Sequence, residues 1–131
     1  MRRKSIDELG ELQRTIMETV WELGESTVTQ VRKRLAERKD LAYTTVLSAM
    51  QKLERTGWLR HRSEGKTYVY RACESRQESG TKSLRRFMDR VFQGDPLILF
   101  QHLLEDEDLS DEDLATLRKM INRRKKELRD D

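Results

Sequence analysis

Along residues 42–72 the apolar pattern changes period, and the change falls at Gly57. Before it, Val46, Leu47, Met50 and Leu53 recur every three or four positions, which at about 100° per residue gathers them on one helix face. After it, Leu59 is set among Arg60, His61 and Arg62, and Tyr68, Val69 and Tyr70 follow. Residues 58–62 and 67–71 therefore read as two strands, joined by a turn over residues 63–66 that contains Gly65. Gly57 suits the left-handed position that ends many helices. A helix that begins near Ala42 or Tyr43 must run straight into a small basic hairpin, and few folds accept that pairing.

The residues upstream supply two more helices. Leu9, Leu12, Ile16, Val20 and Leu23 form a stripe widened by Met17 and Trp21 and closed by Gly24. Thr27 and Gln30 fit a T-x-x-Q capping box, which predicts a second helix carrying Val28, Val31 and Leu35. Downstream, Leu84, Phe87, Met88, Val91 and Phe92 stripe a fourth helix ending at Gly94. Asp95 as N-cap and Pro96 at the first helical position open a fifth, with Leu97, Ile98, Leu99, Phe100, Leu103 and Leu104. Ser110 with Asp113 caps a sixth, where Leu109 is placed to staple Leu114 and where Leu117, Ile121 and Leu128 continue the stripe. The polar stretch 76–81 is the best boundary. The expected architecture is mainly α with a small β-hairpin: a winged helix-turn-helix over residues 5–75 and a helical dimerisation region of three helices over 76–131.

Composition bounds the size of each core. Of 131 residues, 35% are hydrophobic and 39% charged, so burying more surface calls for a second copy. Helices four to six are each apolar on one face and too few to close a core alone. Packing against a twofold-related chain would bury Leu84, Phe87, Met88, Val91, Phe92, Leu97, Phe100, Leu103, Leu104, Leu114, Leu117 and Ile121. No apolar run reaches the roughly 20 residues of a membrane span, and no signal-peptide pattern opens the chain. The single cysteine, Cys73, excludes an internal disulfide, as expected in a reducing cytoplasm.

Charge is unevenly placed. Residues 52–71 carry a net +4, while seven of the nine residues 105–113 are acidic. The basic density sits on the helix–hairpin unit, where a polyanion could meet it. The third helix turns short polar groups outward, and a DNA major groove admits one such helix. Thr44, Thr45, Ser48 and Gln51 are candidates for base readout. Tyr43, Lys52 and Arg55 are candidates for the DNA backbone, with Arg60, Arg62 and Lys66 on the hairpin beside it. A polar outer face is also what any surface helix shows, so the conjunction of three short helices, period change and basic hairpin carries the reading. The alternative is a winged-helix protein–protein interaction module that meets an acidic partner. Against it, the face offers no aromatic or apolar anchor beyond Tyr43.

The segments "LGELQRTIMETVWELG", "TTVLSAMQKLERTGWL" and "SEGKTYVYRA" resemble the penicillinase-repressor family of bacterial transcriptional regulators, the BlaI/MecI type. The resemblance covers residues 9–72 and, more loosely, 84–128. It implies a homodimeric repressor bound to double-stranded DNA operators, inverted repeats with TACA/TGTA-like half-sites upstream of its own and linked genes. It also implies that the C-terminal helices of two copies interlock. In antibiotic-responsive members a membrane-bound sensor protease triggers cleavage of an Asn-Phe bond in the fifth helix. The aligned cleavage position here is Gln101-His102, a departure from that pattern.

No catalytic constellation is found, and no enzyme activity or cofactor is expected. His61 and His102 have no cysteine or histidine at metal-ligand spacing, and the paired C-terminal cysteines of copper-responsive relatives are absent. His61 reads as a surface or packing residue of the hairpin, and Cys73 as a half-buried small residue after the second strand. The 105–113 run lacks the alternation of a calcium loop and fits helix N-terminal charge instead.

Overall fold

The computed structural model describes residues 3–130. A 3-10 turn, Ile6–Glu8, is followed by α1 (Glu11–Leu23), α2 (Val28–Leu35), α3 (Tyr43–Arg55), β1 (Leu59–Glu64), β2 (Thr67–Ala72), α4 (Arg76–Val91), α5 (Pro96–Leu104) and α6 (Asp111–Asp130). The chain forms two compact units, Met1–Arg85 and Arg86–Asp131, and α4 runs through the division.

In the first unit, Ile16, Met17 and Val20 of α1, Val31 and Leu35 of α2, and Val46, Met50 and Leu53 of α3 are buried together with Trp58, Leu59 and Tyr70. Removing a Val, Leu or Ile side chain from water stabilises by about 1.5–3 kcal/mol, so this cluster is what holds the three helices together. The apolar stripe begins at Leu9, but α1 begins two residues later. Leu9 closes the preceding turn with its N–H on the Ile6 carbonyl, and extended Gly10 caps the helix. The capping box of α2 is present in both directions. Gln30 N–H donates to Thr27 Oγ1 at 3.1 Å, and Thr27 N–H to Gln30 Oε1 at 2.8 Å.

The hairpin differs from its sequence reading at both ends. Trp58 N–H bonds the Leu53 carbonyl at 2.8 Å and still belongs to the end of α3, so β1 starts at Leu59. Ser63 and Glu64, expected in the turn, instead pair with Tyr68 and Thr67. The turn is only Gly65-Lys66, and Gly65 takes the positive φ (63°) that a tight hairpin connection requires. Ser26 and Tyr70 exchange both backbone hydrogen bonds, at 2.8 and 3.0 Å, which ties the hairpin to the α1–α2 connection.

Residues 76–81, read as a polar boundary, are the opening turns of α4. Ser75 Oγ accepts from the Glu78 N–H at 3.0 Å and caps them. Ser79 is buried, and its hydroxyl donates to Glu74 at 2.6 Å. Glu74 also receives Lys82 Nζ at 2.7 Å and Arg3 at 2.6 Å. Arg3 in turn lies 4.5 Å over the Trp58 ring and donates to the Gly57 carbonyl. Polar composition signalled a gap where buried hydrogen bonding makes a helix. Cys73 is exposed rather than half-buried, its N–H continuing the ladder to the Trp58 carbonyl.

In the second unit, Asp95 accepts the Leu97 N–H at 2.9 Å with Pro96 at the first helical position, as expected of α5. Ser110 and Asp113 form a reciprocal capping box at 3.1 Å in each direction, opening α6. Phe92 packs edge-on to Phe87 and tilts against His102. Leu99 is buried, whereas Leu97, Phe100, Leu103, Leu104, Leu114 and Ile121 are exposed.

Candidate nucleic-acid interface

Burial of Val46, Met50 and Leu53 fixes the rotation of α3, and the opposite face follows from the helix period. Thr44, Thr45, Ser48, Gln51, Lys52 and Arg55 are all exposed. Among the described residues, none of their side chains makes a hydrogen bond or ion pair within the chain. A surface helix usually spends some such groups on i,i+4 pairs; this one presents an open row of hydroxyl, amide and cationic donors. Tyr43, at the first turn, is also exposed.

Beside this row the hairpin divides its cations into two kinds. Arg60 and Lys66 are exposed and, among the described residues, unpaired. Arg62 is engaged: its guanidinium donates to Glu25 at 3.1 Å and Glu64 at 2.9 Å. Those two bonds, Glu25 first, raise its pKa. The sequence placed Arg62 with the free cations because Glu25 is 37 residues away.

His61 ties the hairpin to α3. Its Nδ1 lies 2.6 Å from Glu54 Oε2, its N–H donates to the same oxygen at 3.2 Å, and its ring stacks on Tyr68 at 4.2 Å. Glu54, which counts against the basic charge of the segment, is thus turned to an internal contact.

α2, α3 and the hairpin enclose a cleft of about 390 Å³ lined by Thr27, Val28, Thr29, Tyr43, Leu47, Gln51, Lys66, Thr67, Tyr68 and Tyr70. It joins Tyr43 and Gln51 to Lys66, three residues singled out from sequence. Thr29, Thr67 and Tyr68 were missed. Their only signal was a polar or amphipathic side chain next to a turn or cap, and tertiary packing is what brings them to the same wall. Among the described residues no three His, Cys, Asp or Glu side chains could hold a metal ion, and no helix is long and apolar enough to cross a membrane.

A sequence model of the penicillinase repressor family matches residues 9–123. A transcriptional regulator BlaI of Mycobacterium tuberculosis is 35% identical over 71 residues, 53% of this chain and 51% of that protein. The chain thus spans about half the length of that relative. A penicillinase repressor of Bacillus licheniformis is 21% identical over 122 residues, covering 93% and 95% of the two chains. In fold, the chain is similar to the solution structure of the DNA-binding domain of the repressor BlaI, with a TM-score of 0.50 at 21% identity, over 57% of this chain and 92% of that one.

Proposed function

The chain belongs to the penicillinase repressor family, and we propose that it is a sequence-specific DNA-binding transcriptional regulator acting as a homodimeric repressor. The observation that carries this is the open row on α3, exposed and without internal partners, flanked by the unpaired Arg60 and Lys66. In this reading α3 enters the major groove. Thr44, Thr45, Ser48 and Gln51 meet base edges, where the hydroxyls and the amide donate and accept and the threonine methyls can touch a thymine methyl. Tyr43, Lys52 and Arg55 take phosphates at either end of the helix. Arg60 and Lys66 take the flanking backbone, and Arg62 joins them by exchanging its carboxylates for phosphate.

The exposed apolar side chains of the second unit support the dimer: Phe87, Val91, Leu97, Phe100, Leu103 and Ile121 stand 47%, 56%, 76%, 53%, 48% and 59% exposed in the single chain. Such a surface on one chain is a docking surface. Two copies would set their recognition helices about 34–36 Å apart or a multiple of it, on an inverted repeat. Family membership supports TACA/TGTA-like half-sites and a cytoplasmic setting. A sensor protease as partner would have to cut at or near Gln101-His102, under a different specificity from Asn-Phe. The reading assigns no reaction to the chain itself.

The test is selection of bound duplexes from a randomised pool at about 0.15 M salt, where long-range phosphate attraction is screened. A palindrome of fixed spacing is expected. A pool that stays random with folded, dimeric protein would favour the protein-binding module instead.

A further inference from the structure

The opening of α4 has nothing apolar to hold it. From Arg76 to Ser83 no side chain is aliphatic or aromatic. Ser79 is the one buried residue of the helix, and Leu84, its first large apolar residue, is 52% exposed. A carboxylate fastens it instead. The Glu74 side chain is 7% exposed and accepts from Ser79 Oγ at 2.6 Å on one oxygen. The other oxygen meets Lys82 Nζ at 2.7 Å and the Arg3 guanidinium at 2.6 Å. The Trp21 indole N–H donates to the Glu74 carbonyl at 2.9 Å. Arg3 continues to the end of α3, donating to the Gly57 carbonyl at 2.9 Å and lying 4.5 Å over the Trp58 ring. Glu74 thus joins α1, the end of α3 and the first two turns of α4, all within the first unit.

Stability alone is a poor account of this arrangement, because a buried ion pair is often no more stabilising than apolar side chains filling the same volume. The two differ in direction. Apolar contact is non-directional, whereas charge-assisted hydrogen bonds to both carboxylate oxygens hold over a narrow range of angles. What they fix is the direction in which α4 leaves the reading head. The 16 residues of α4 span about 24 Å at about 1.5 Å per residue. A tilt of about 10° at the start would carry the far end sideways by about 4 Å, more than the roughly 3.4 Å between successive base pairs.

We propose that Glu74 is a positioning residue for operator recognition: by fixing the exit direction of α4, it sets which spacing of half-sites two linked heads accept. The inference rests on the homodimer reading and adds the residue that makes the pair selective for spacing. Glu74 touches no DNA in this role and acts through α4.

The test uses the full chain and duplexes in which the selected half-sites are moved closer or further apart by one or two base pairs, with a single half-site duplex beside them. Glu74→Gln removes the carboxylate. Ser79→Ala with Lys82→Gln cuts the bonds from α4 and leaves Arg3 on the carboxylate, so the head keeps that ion pair. Val31→Ala, in the buried core away from Glu74, controls for lost stability. All are titrated at a temperature where circular dichroism shows them folded. The parent is expected to lose affinity about tenfold or more when the spacing changes. In Glu74→Gln and in the double variant that penalty should fall to about threefold or less, with half-site affinity within about twofold of the parent. Val31→Ala should keep the parent's spacing profile. The parent's profile in the double variant overturns the proposal, and so does a flattened profile in Val31→Ala, which would tie spacing to stability in general. A parallel loss on half and full sites overturns it too, by placing Glu74 in the fold of the head alone. A parent with no preference for two half-sites over one would remove the homodimer reading, and this inference with it.

Discussion

Glu74 is 7% exposed on its side chain, and burial would raise its pKa. The hydrogen bonds from Lys82, Ser79 and Arg3, with the charge of Arg3, outweigh burial and hold it at about 2, below an ordinary 4.5. A carboxylate lowered on folding stabilises fully above its unfolded pKa, and the benefit disappears as pH falls from about 4.5 towards 2. Glu74→Gln should therefore destabilise the first unit by about 2–3 kcal/mol at pH 7, with the difference from the parent shrinking over that acid window. Urea unfolding followed by tryptophan fluorescence checks this, because Trp58 lies under Arg3 and Trp21 donates to the Glu74 carbonyl. An unchanged difference at pH 3 would refute the account. On α3, Thr45→Ala should weaken the selected duplex by about 1–3 kcal/mol and spare random duplexes. On the hairpin, Arg60→Ala should lower affinity for every duplex and reduce the salt slope by about one unit. Arg62→Ala should do less, since Arg62 must first leave Glu25 and Glu64. Titrations across salt separate the two; equal slopes for both variants would mean that these carboxylates do not hold Arg62 back.

Secondary-structure elements were legible where their signals lie within a few residues. The Thr27–Gln30, Asp95–Pro96 and Ser110–Asp113 caps formed as spaced, because capping is a local hydrogen-bond exchange. Thr27→Ala should cost about 1 kcal/mol, or about 4–8 °C in the melting temperature of the first unit. Calorimetry would detect that, and a shift under a degree would mean that tertiary packing alone sets the start of α2. The hairpin turn was read too long because Ser63 and Glu64 are polar and exposed on either side of the pairing, so no alternation marks them. The opening of α4 was read as a boundary for a related reason. Its polar residues are held by Glu74 and Ser75, and Glu74 is itself fixed by Arg3, 71 positions earlier. No window of local composition contains that contact.

At the scale of the whole molecule, in the proposed dimer the second unit supplies what neither α3 nor the hairpin does, a way to present two reading heads. Phe100 is 53% exposed on α5 in the single chain. Phe100→Glu should disrupt the proposed dimer while leaving half-site binding intact. Affinity for the full palindrome should then fall about a hundredfold as the effective concentration of the second head is lost. Paired titrations on half and full sites test it, and a parallel loss on both would place Phe100 in the fold of the chain rather than between copies.

Periodicity and cap spacing gave the helices, the period change at Gly57 and the faces of α3, and three short segments carried the family likeness, since each is written in neighbours a few residues apart. Long-range contacts settled the rest. Ser26 binds Tyr70, Glu25 takes Arg62, and Arg3 reaches Glu74. In each case a backbone or charged group faces a choice between solvent and a partner. Packing of the core, which no local pattern encodes, brings the partner within reach. For that reason the elements of the candidate interface could be read from the chain, while which of its cations remain free could be known only once the chain was folded.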